Sequence, residues 1–358
     1  MMLNSKIEWC DHTFNPWIGC TKVSVGTYGG CELCYAERST PARVQGVVWG
    51  PGAPRRRTSV GNWVLPRCWN AQHQAFYNEH GRRQRVFCAS LADVFDNEVD
   101  PQWRADLFAL IRATPNLDWL LLTKRIGMVL PQLKEAGMHC NSTDRGDLAF
   151  WIMSWFDGRP PANVWLGATV VNQKEADRDI PKLLATPARV RFLSMEPLLG
   201  PVDLTMLNNP GPLHQRGAFI NALRGGTYGL VPNTGERHRI THGPLESVDW
   251  VIAGGESGPR ARPMSIQWAR TLRDQCKAAG VPMLFKQWGE WAPALPRPAE
   301  TPGRFAFGDY EHDPVAFSQT DRYPRQFTMF GARSVLERVG KKAAGRLLDG
   351  IEHNGFPA

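Results

Sequence analysis

Three cysteines in one short segment carry the strongest chemical signal in the chain. Cys20 is followed, after ten residues of a Gly-rich stretch, by the pair Cys31-x-x-Cys34. Three thiolates can hold three irons of a [4Fe–4S] cube and leave the fourth open to chelate a small molecule and pass it an electron. The same trio with a histidine such as His12 would satisfy a tetrahedral zinc ion. Three free, buried thiols would need no metal at all. Cys10, Cys68, Cys88, Cys140 and Cys276 stand alone and are expected to be small core residues.

A second set of polar residues recurs at the ends of apolar runs. Ser90, Thr123 and Lys124, Ser194 and Glu196, and Gly254-Gly255-Glu256 each follow a stretch that reads as a buried strand. In a parallel barrel, functional groups gather where strands run out at their C-terminal ends, so these residues are expected to share one mouth. Gly254 and Gly255 would let the backbone approach a ligand closely, while Glu256 takes an amino group or a ribose hydroxyl. Lys124 and Glu196 at buried strand ends each need an opposite charge. They are candidates for catalysis, with mutual pairing as the plain alternative.

The elements that must position these groups alternate. Apolar runs at 85–90, 118–124, 163–169, 190–196, 249–254 and 282–286 have the composition of strands covered on both faces, and 15–18 reads as a first strand ahead of the cysteines. Helical patterns lie between them at 101–112, 173–184 and 265–279. This alternation predicts an α/β fold, either a full or partial (β/α) barrel or an open doubly wound sheet. The barrel would cover 1–290, interrupted by insertions at 43–84 and at 204–246, the latter an irregular loop or lid. Residues 291–358 would form a short C-terminal extension.

Composition narrows the class. The chain has 358 residues, 42% of them apolar, enough for a large core, and no run approaches the ~20 apolar residues of a membrane span. Eight scattered cysteines without an apolar leader read as reduced thiols of a cytoplasmic protein. The net charge of +8 is uneven. Arg55, Arg56 and Arg57, with Trp63 and other aromatics, have the chemistry of a nucleic-acid surface, with arginine for phosphate and rings for base stacking. A solvated basic loop over buried aromatics is the alternative.

The motifs together resemble a known family. Asn15-Pro-Trp-Ile-Gly-Cys-Thr-Lys-Val-Ser24, Cys31-Glu-Leu-Cys-Tyr-Ala-Glu37, Leu122-Thr-Lys-Arg125, Ser194-Met-Glu-Pro197, Trp250-Val-Ile-Ala-Gly-Gly-Glu-Ser-Gly258 and Phe285-Lys-Gln-Trp-Gly289 are similar to a phage-associated, three-Cys branch of the radical S-adenosylmethionine enzymes. The more usual spacing in those enzymes is Cys-x-x-x-Cys-x-x-Cys, and this chain departs from it with ten residues between Cys20 and Cys31. The resemblance implies a [4Fe–4S] cluster on Cys20, Cys31 and Cys34, S-adenosylmethionine on the open iron, and a 5′-deoxyadenosyl radical. It implies an electron-donor protein or other reductant as partner. It also points to DNA as substrate, with a glycyl-modified thymidine isomerised from N-linked to C-linked during phage DNA hypermodification, in the cytoplasm of an infected host. A radical enzyme acting on a free nucleotide or peptide, and a metal-stabilised nucleic-acid-binding protein without chemistry, are the competing readings.

Overall fold

A run such as Leu117-Asp-Trp-Leu-Leu-Leu-Thr123 has too few polar side chains to leave a face in water, so it must be covered on both sides. A computed structural model describes residues 5–26, 28–208, 217–231, 234–240, 246–295, 298, 300–307, 318–322 and 335–357. It contains strands β1 (His12–Thr13), β2 (Gln84–Cys88), β3 (Leu117–Thr123), β4 (Val164–Thr169), β5 (Val190–Met195), β6 (Trp250–Gly254) and β7 (Met283–Gln287). Every residue of β2, β4 and β6 is buried. The chain divides into two compact units, one of residues 1–24, 34–169 and 182–192, the other of 25–33, 170–181 and 193–358.

In the first unit the strand order is β1-β2-β3-β4 and on to the start of β5. The first three pairs are parallel, with His12 opposite Val86, Phe87 opposite Leu120, and Leu121 opposite Leu166. Helix α1 (Val60–Ala71) lies in the basic insertion, and α2 (Pro101–Arg112) links β2 to β3. Helix α2 begins where its sequence says it should. Asp100 caps it by accepting from the Gln102 amide at 2.8 Å, and Pro101 fills the first turn, where no amide is needed. Trp9, Phe14, Phe95, Phe108 and Trp119 are fully buried here, each contributing roughly 1.5–3 kcal/mol.

The first strand is not where the sequence suggests. Trp17–Ile18 pairs antiparallel with Arg56–Arg57, and β1 joins the parallel order instead. Pro16 explains the change, because it has no amide to continue a ladder from β1. Cys68 also departs from expectation. It lies on the outer side of α1 and is exposed, whereas Cys10, Cys88, Cys140 and Cys276 are buried.

The second unit holds the end of β5, then β6 and β7, the last two parallel with Val251 opposite Met283. Helix α3 (Ile266–Ala279) is capped by Ser265, which accepts from the Gln267 amide, and ends at Gly280 in a left-handed conformation with φ of 73°. The segment expected to be an irregular loop is a small sheet among its described residues. Leu207–Asn208, Phe219–Ile220, Thr227–Leu230 and Arg237–Arg239 pair antiparallel. Gly225 and Gly226, with φ of 64° and 105°, turn the chain between two of these short strands, a pattern that resembles loop composition. The remainder of the 204–246 segment, at 209–216, 232–233 and 241–245, lies outside the described residues. A second antiparallel sheet follows β7, with Val335–Arg338 between Trp291–Pro293 and Pro302–Phe307.

Together these strands and helices make a mixed α/β fold. No helix among the described residues is long and apolar enough to cross a membrane.

Candidate cofactor site at the strand ends

In the first unit, chain neighbours of Cys20 and Cys34 are tied to the segment leaving β2. The Gly19 amide donates to Leu91 O at 3.1 Å, and the Tyr35 hydroxyl donates to Ser90 O at 2.7 Å. Asn15 locks the same corner, with its Nδ2 donating to Ser90 Oγ at 3.0 Å and its Oδ1 accepting from the Leu91 amide at 2.7 Å. Cys20 and Cys34 are half-buried.

The end of β3 is built on Asp93. Its Oδ1 accepts from Thr123 Oγ1 at 2.7 Å and its Oδ2 from the Lys124 amide at 3.0 Å. Thr123 in turn accepts from the Arg125 amide at 2.8 Å. That turn aims the buried Arg125 guanidinium at the cysteine loop, where Nη2 reaches Thr21 O at 2.6 Å and Nη1 reaches Cys20 Sγ at 3.4 Å. Burial pushes the Cys20 thiol well above its ordinary pKa, Asp93 and Asp96 push it the same way, and Arg125 opposes them. Lys124 is half-buried and has no side-chain partner among the described residues.

In the second unit Glu196 pairs with Lys286 at 2.9 Å, not with Lys124. Its other oxygen, Oε1, is buried without a donor, as is Gln287 Oε1. A Cβ on Gly254 would sit 3.1 Å from Glu196 Oε1 and 3.3 Å from Gln287 O, so glycine is what lets these groups crowd the end of β6. A Cβ on Gly255 would collide with the Trp288 carbonyl. Ser194 is buried at the end of β5.

Glu256 is occupied more fully than the sequence suggests. It accepts from the Arg262 amide at 2.8 Å, Nε at 2.9 Å and Nη2 at 2.6 Å. Arg262 also donates from Nη1 to Gly29 O at 3.1 Å, and Asn172 donates to Tyr28 O at 3.2 Å. The arm of the loop that carries the buried Cys31 is thus tied to the Glu256 network.

The basic insertion is divided in its roles. Arg55 was expected at a phosphate and is instead internal. Its side chain is 1% exposed and pairs with Asp96 at 2.8 Å and Glu98 at 3.0 Å. Arg56 is exposed and donates to Gln45 O. Arg57 pairs with Asp106 at 2.8 Å and lies 4.5 Å over the ring of Trp63, whose other neighbour is Phe14.

Residues 4–357 match a family model described as a protein of unknown function, DUF5131. The chain belongs to that family. No curated protein matches it. Among solved structures, the C140S mutant of spore photoproduct lyase aligns at 12% identity with a TM-score of 0.32, over 78% of this chain and 75% of that one.

For this DUF5131 protein, the donor chemistry decides which groups fit. Cys20, Cys31 and Cys34 are all free thiols, the soft donors that an iron–sulfur cluster requires. Among the described residues, no group of three or more His, Cys, Asp or Glu side chains is arranged to hold a metal ion. His12 belongs to no such group; its ring stacks on Trp69 at 4.1 Å and its Nε2 bonds Gln84 at 2.6 Å. The orphaned Glu196 and Gln287 oxygens suit a ligand rich in N–H and O–H donors, which S-adenosylmethionine is. Sequence reasoning gave Lys286 and Arg262 no role, and it expected Asp93 and Arg125 only as polar residues at strand ends, not as partners of the cysteine loop. Arg125 and Lys286 stand inside motifs already singled out, whereas Arg262 gives no signal beyond its nearness to Glu256.

Proposed function

We propose that this protein is a radical S-adenosylmethionine enzyme on a partial (β/α) barrel, isomerising a glycyl-modified thymidine in DNA from N-linked to C-linked. The observation that carries the reading is the trio of free thiols at Cys20, Cys31 and Cys34, set in a sequence of family-like motifs. These cysteines would hold a [4Fe–4S] cluster, which with S-adenosylmethionine supplies one-electron reduction and hydrogen-atom abstraction.

The chain's own residues do the rest. Glu196 Oε1 and Gln287 Oε1 accept from donor groups of the bound molecule, and Gly254 and Gly255 leave room for it beside the backbone. Glu256 acts through Arg262 by holding the Gly29 turn in place. Lys124 offers an ammonium to an anionic group such as a glycyl carboxylate. Buried strand ends keep water from the reacting carbon. Arg56 and Arg57 are exposed cations of the insertion and would meet DNA phosphate, an interaction that weakens steeply with salt.

The test is anaerobic reconstitution followed by reductant and S-adenosylmethionine. The proposal expects about four irons per chain and release of 5′-deoxyadenosine, increased by DNA carrying the glycyl thymidine. Equal stimulation by the free nucleoside would overturn the DNA part. A zinc-loaded protein that leaves S-adenosylmethionine intact would overturn the whole.

A further inference from the structure

Arg125 has a geometry that a plain ion pair does not explain. It is 7% exposed, and its nitrogens lie 3.7 Å from Asp93 and 3.6 Å from Asp96. A direct charge-assisted bond is shorter, about 2.7–2.9 Å. The closer engagement is with the cysteine loop, at 2.6 Å to Thr21 O and 3.4 Å to Cys20 Sγ. The carboxylates hold the guanidinium as a pair of rails, and its donor edge is left for sulfur and the adjoining carbonyl. Arg55 tightens the same corner by donating to Thr21 Oγ1 at 2.7 Å and to Asp96 at 2.8 Å.

We infer that Arg125 is a positioning residue for the Cys20 ligand, fixing its sulfur with an N–H···S hydrogen bond and raising the reduction potential of the cluster held there. The inference rests on the cluster reading given above. One electron from an external low-potential reductant makes the cluster one unit more negative, with no proton moved. A hydrogen bond and a fixed positive charge at a ligand sulfur favour that reduced state. Asp93 and Asp96 set the position of the guanidinium and partly offset its charge.

Arg125→Gln, Arg125→Lys and Asp93→Asn, each reconstituted anaerobically, separate this role from simple stapling of the loop. Iron content, melting temperature and the midpoint potential from an EPR-monitored titration are the three readouts. Arg125→Gln is expected to keep its iron and lose about tenfold in the reduced-to-oxidised ratio at a fixed poise, roughly 59 mV to the negative side. Arg125→Lys should move the same way by less, and Asp93→Asn the opposite way. If the Gln variant fails to fold, the sign of the Lys shift decides. Variants that melt lower while the potential stays at the wild-type value overturn the inference and leave the cluster reading standing. A wild-type protein that takes up no iron fails the cluster reading itself, and the inference with it.

Discussion

At the strand ends of the first unit, two buried carboxylates, Asp93 and Asp96, surround the guanidinium of Arg125, which still has N–H groups to give to Thr21 O and Cys20 Sγ. At the strand ends of the second unit, Glu196 is closed by Lys286 and Glu256 by Arg262, and what remains unused is acceptor oxygen, on Glu196 and Gln287. Both regions neutralise their carboxylates internally, as burial demands. They differ in the sign of what is left over. The first presents donors, suited to sulfur that gains negative charge. The second presents acceptors, suited to the ammonium, amino and hydroxyl groups of an organic ligand.

Breaking the second region should cost most at its backbone. A methyl group on Gly255 meets the Trp288 carbonyl, which no rotamer change can move. Gly255→Ala is expected to lower stability by about 3 kcal/mol, read from urea denaturation. Wild-type stability in that variant would mean that β6 and the turn after β7 are not packed as described.

Charge comes next. Lys286→Met leaves the Glu196 carboxylate without its partner at 2.9 Å, at an expected cost of about 1–3 kcal/mol. The additional variant Glu196→Gln should recover part of that loss. If the double variant is no more stable than Lys286→Met, the pair is not coupled.

Glu256→Gln keeps the shape of the side chain and loses one charge-assisted contact to Arg262. It should lower stability by about 1–2 kcal/mol and weaken S-adenosylmethionine binding in calorimetry while iron content holds. Loss of iron instead would show that the Gly29 turn, held through Arg262, governs the Cys31 arm rather than the ligand pocket.

The smallest effect belongs to an exposed network that resembles these only on paper. Hydrogen bonds from Arg270, then Arg273, hold Asp349 at a pKa of about 2, below its ordinary 3.8. A depressed carboxylate stabilises the fold above its ordinary pKa and loses that contribution as pH falls from about 4 to about 2. Asp349 is open to solvent, so screening keeps the contribution under about 1 kcal/mol. Asp349→Asn should remove this acid-limb dependence. A larger change would show that Asp349 is shielded from solvent.

The contrast between the two regions was only partly legible in the sequence. Strands β3, β4 and β6 announce themselves as apolar runs, and α2 through Asp100 and Pro101, because these signals are local. Strand β1 is two residues long, and its place is set by β2, more than seventy residues away. Arg55, Arg56 and Arg57 look alike in sequence. They separate only because Asp96 lies where Arg55 can reach it. Lys124 and Arg125 are neighbours of the same charge, and it is the turn held by Asp93 and Thr123 that sends Arg125 to the sulfur. Glu196 pairs with Lys286, ninety residues further on, a partner that sequence spacing does not reveal.

The central claim is that Cys20, Cys31 and Cys34 together hold one iron–sulfur cluster. Iron and acid-labile sulfide, measured after anaerobic reconstitution of the three single Cys→Ala variants beside Cys88→Ala, test it most directly. The account predicts about four irons in the wild type and in Cys88→Ala, and loss of the cluster in each of the other three. A cluster that survives in Cys31→Ala and disappears in Cys88→Ala would contradict it.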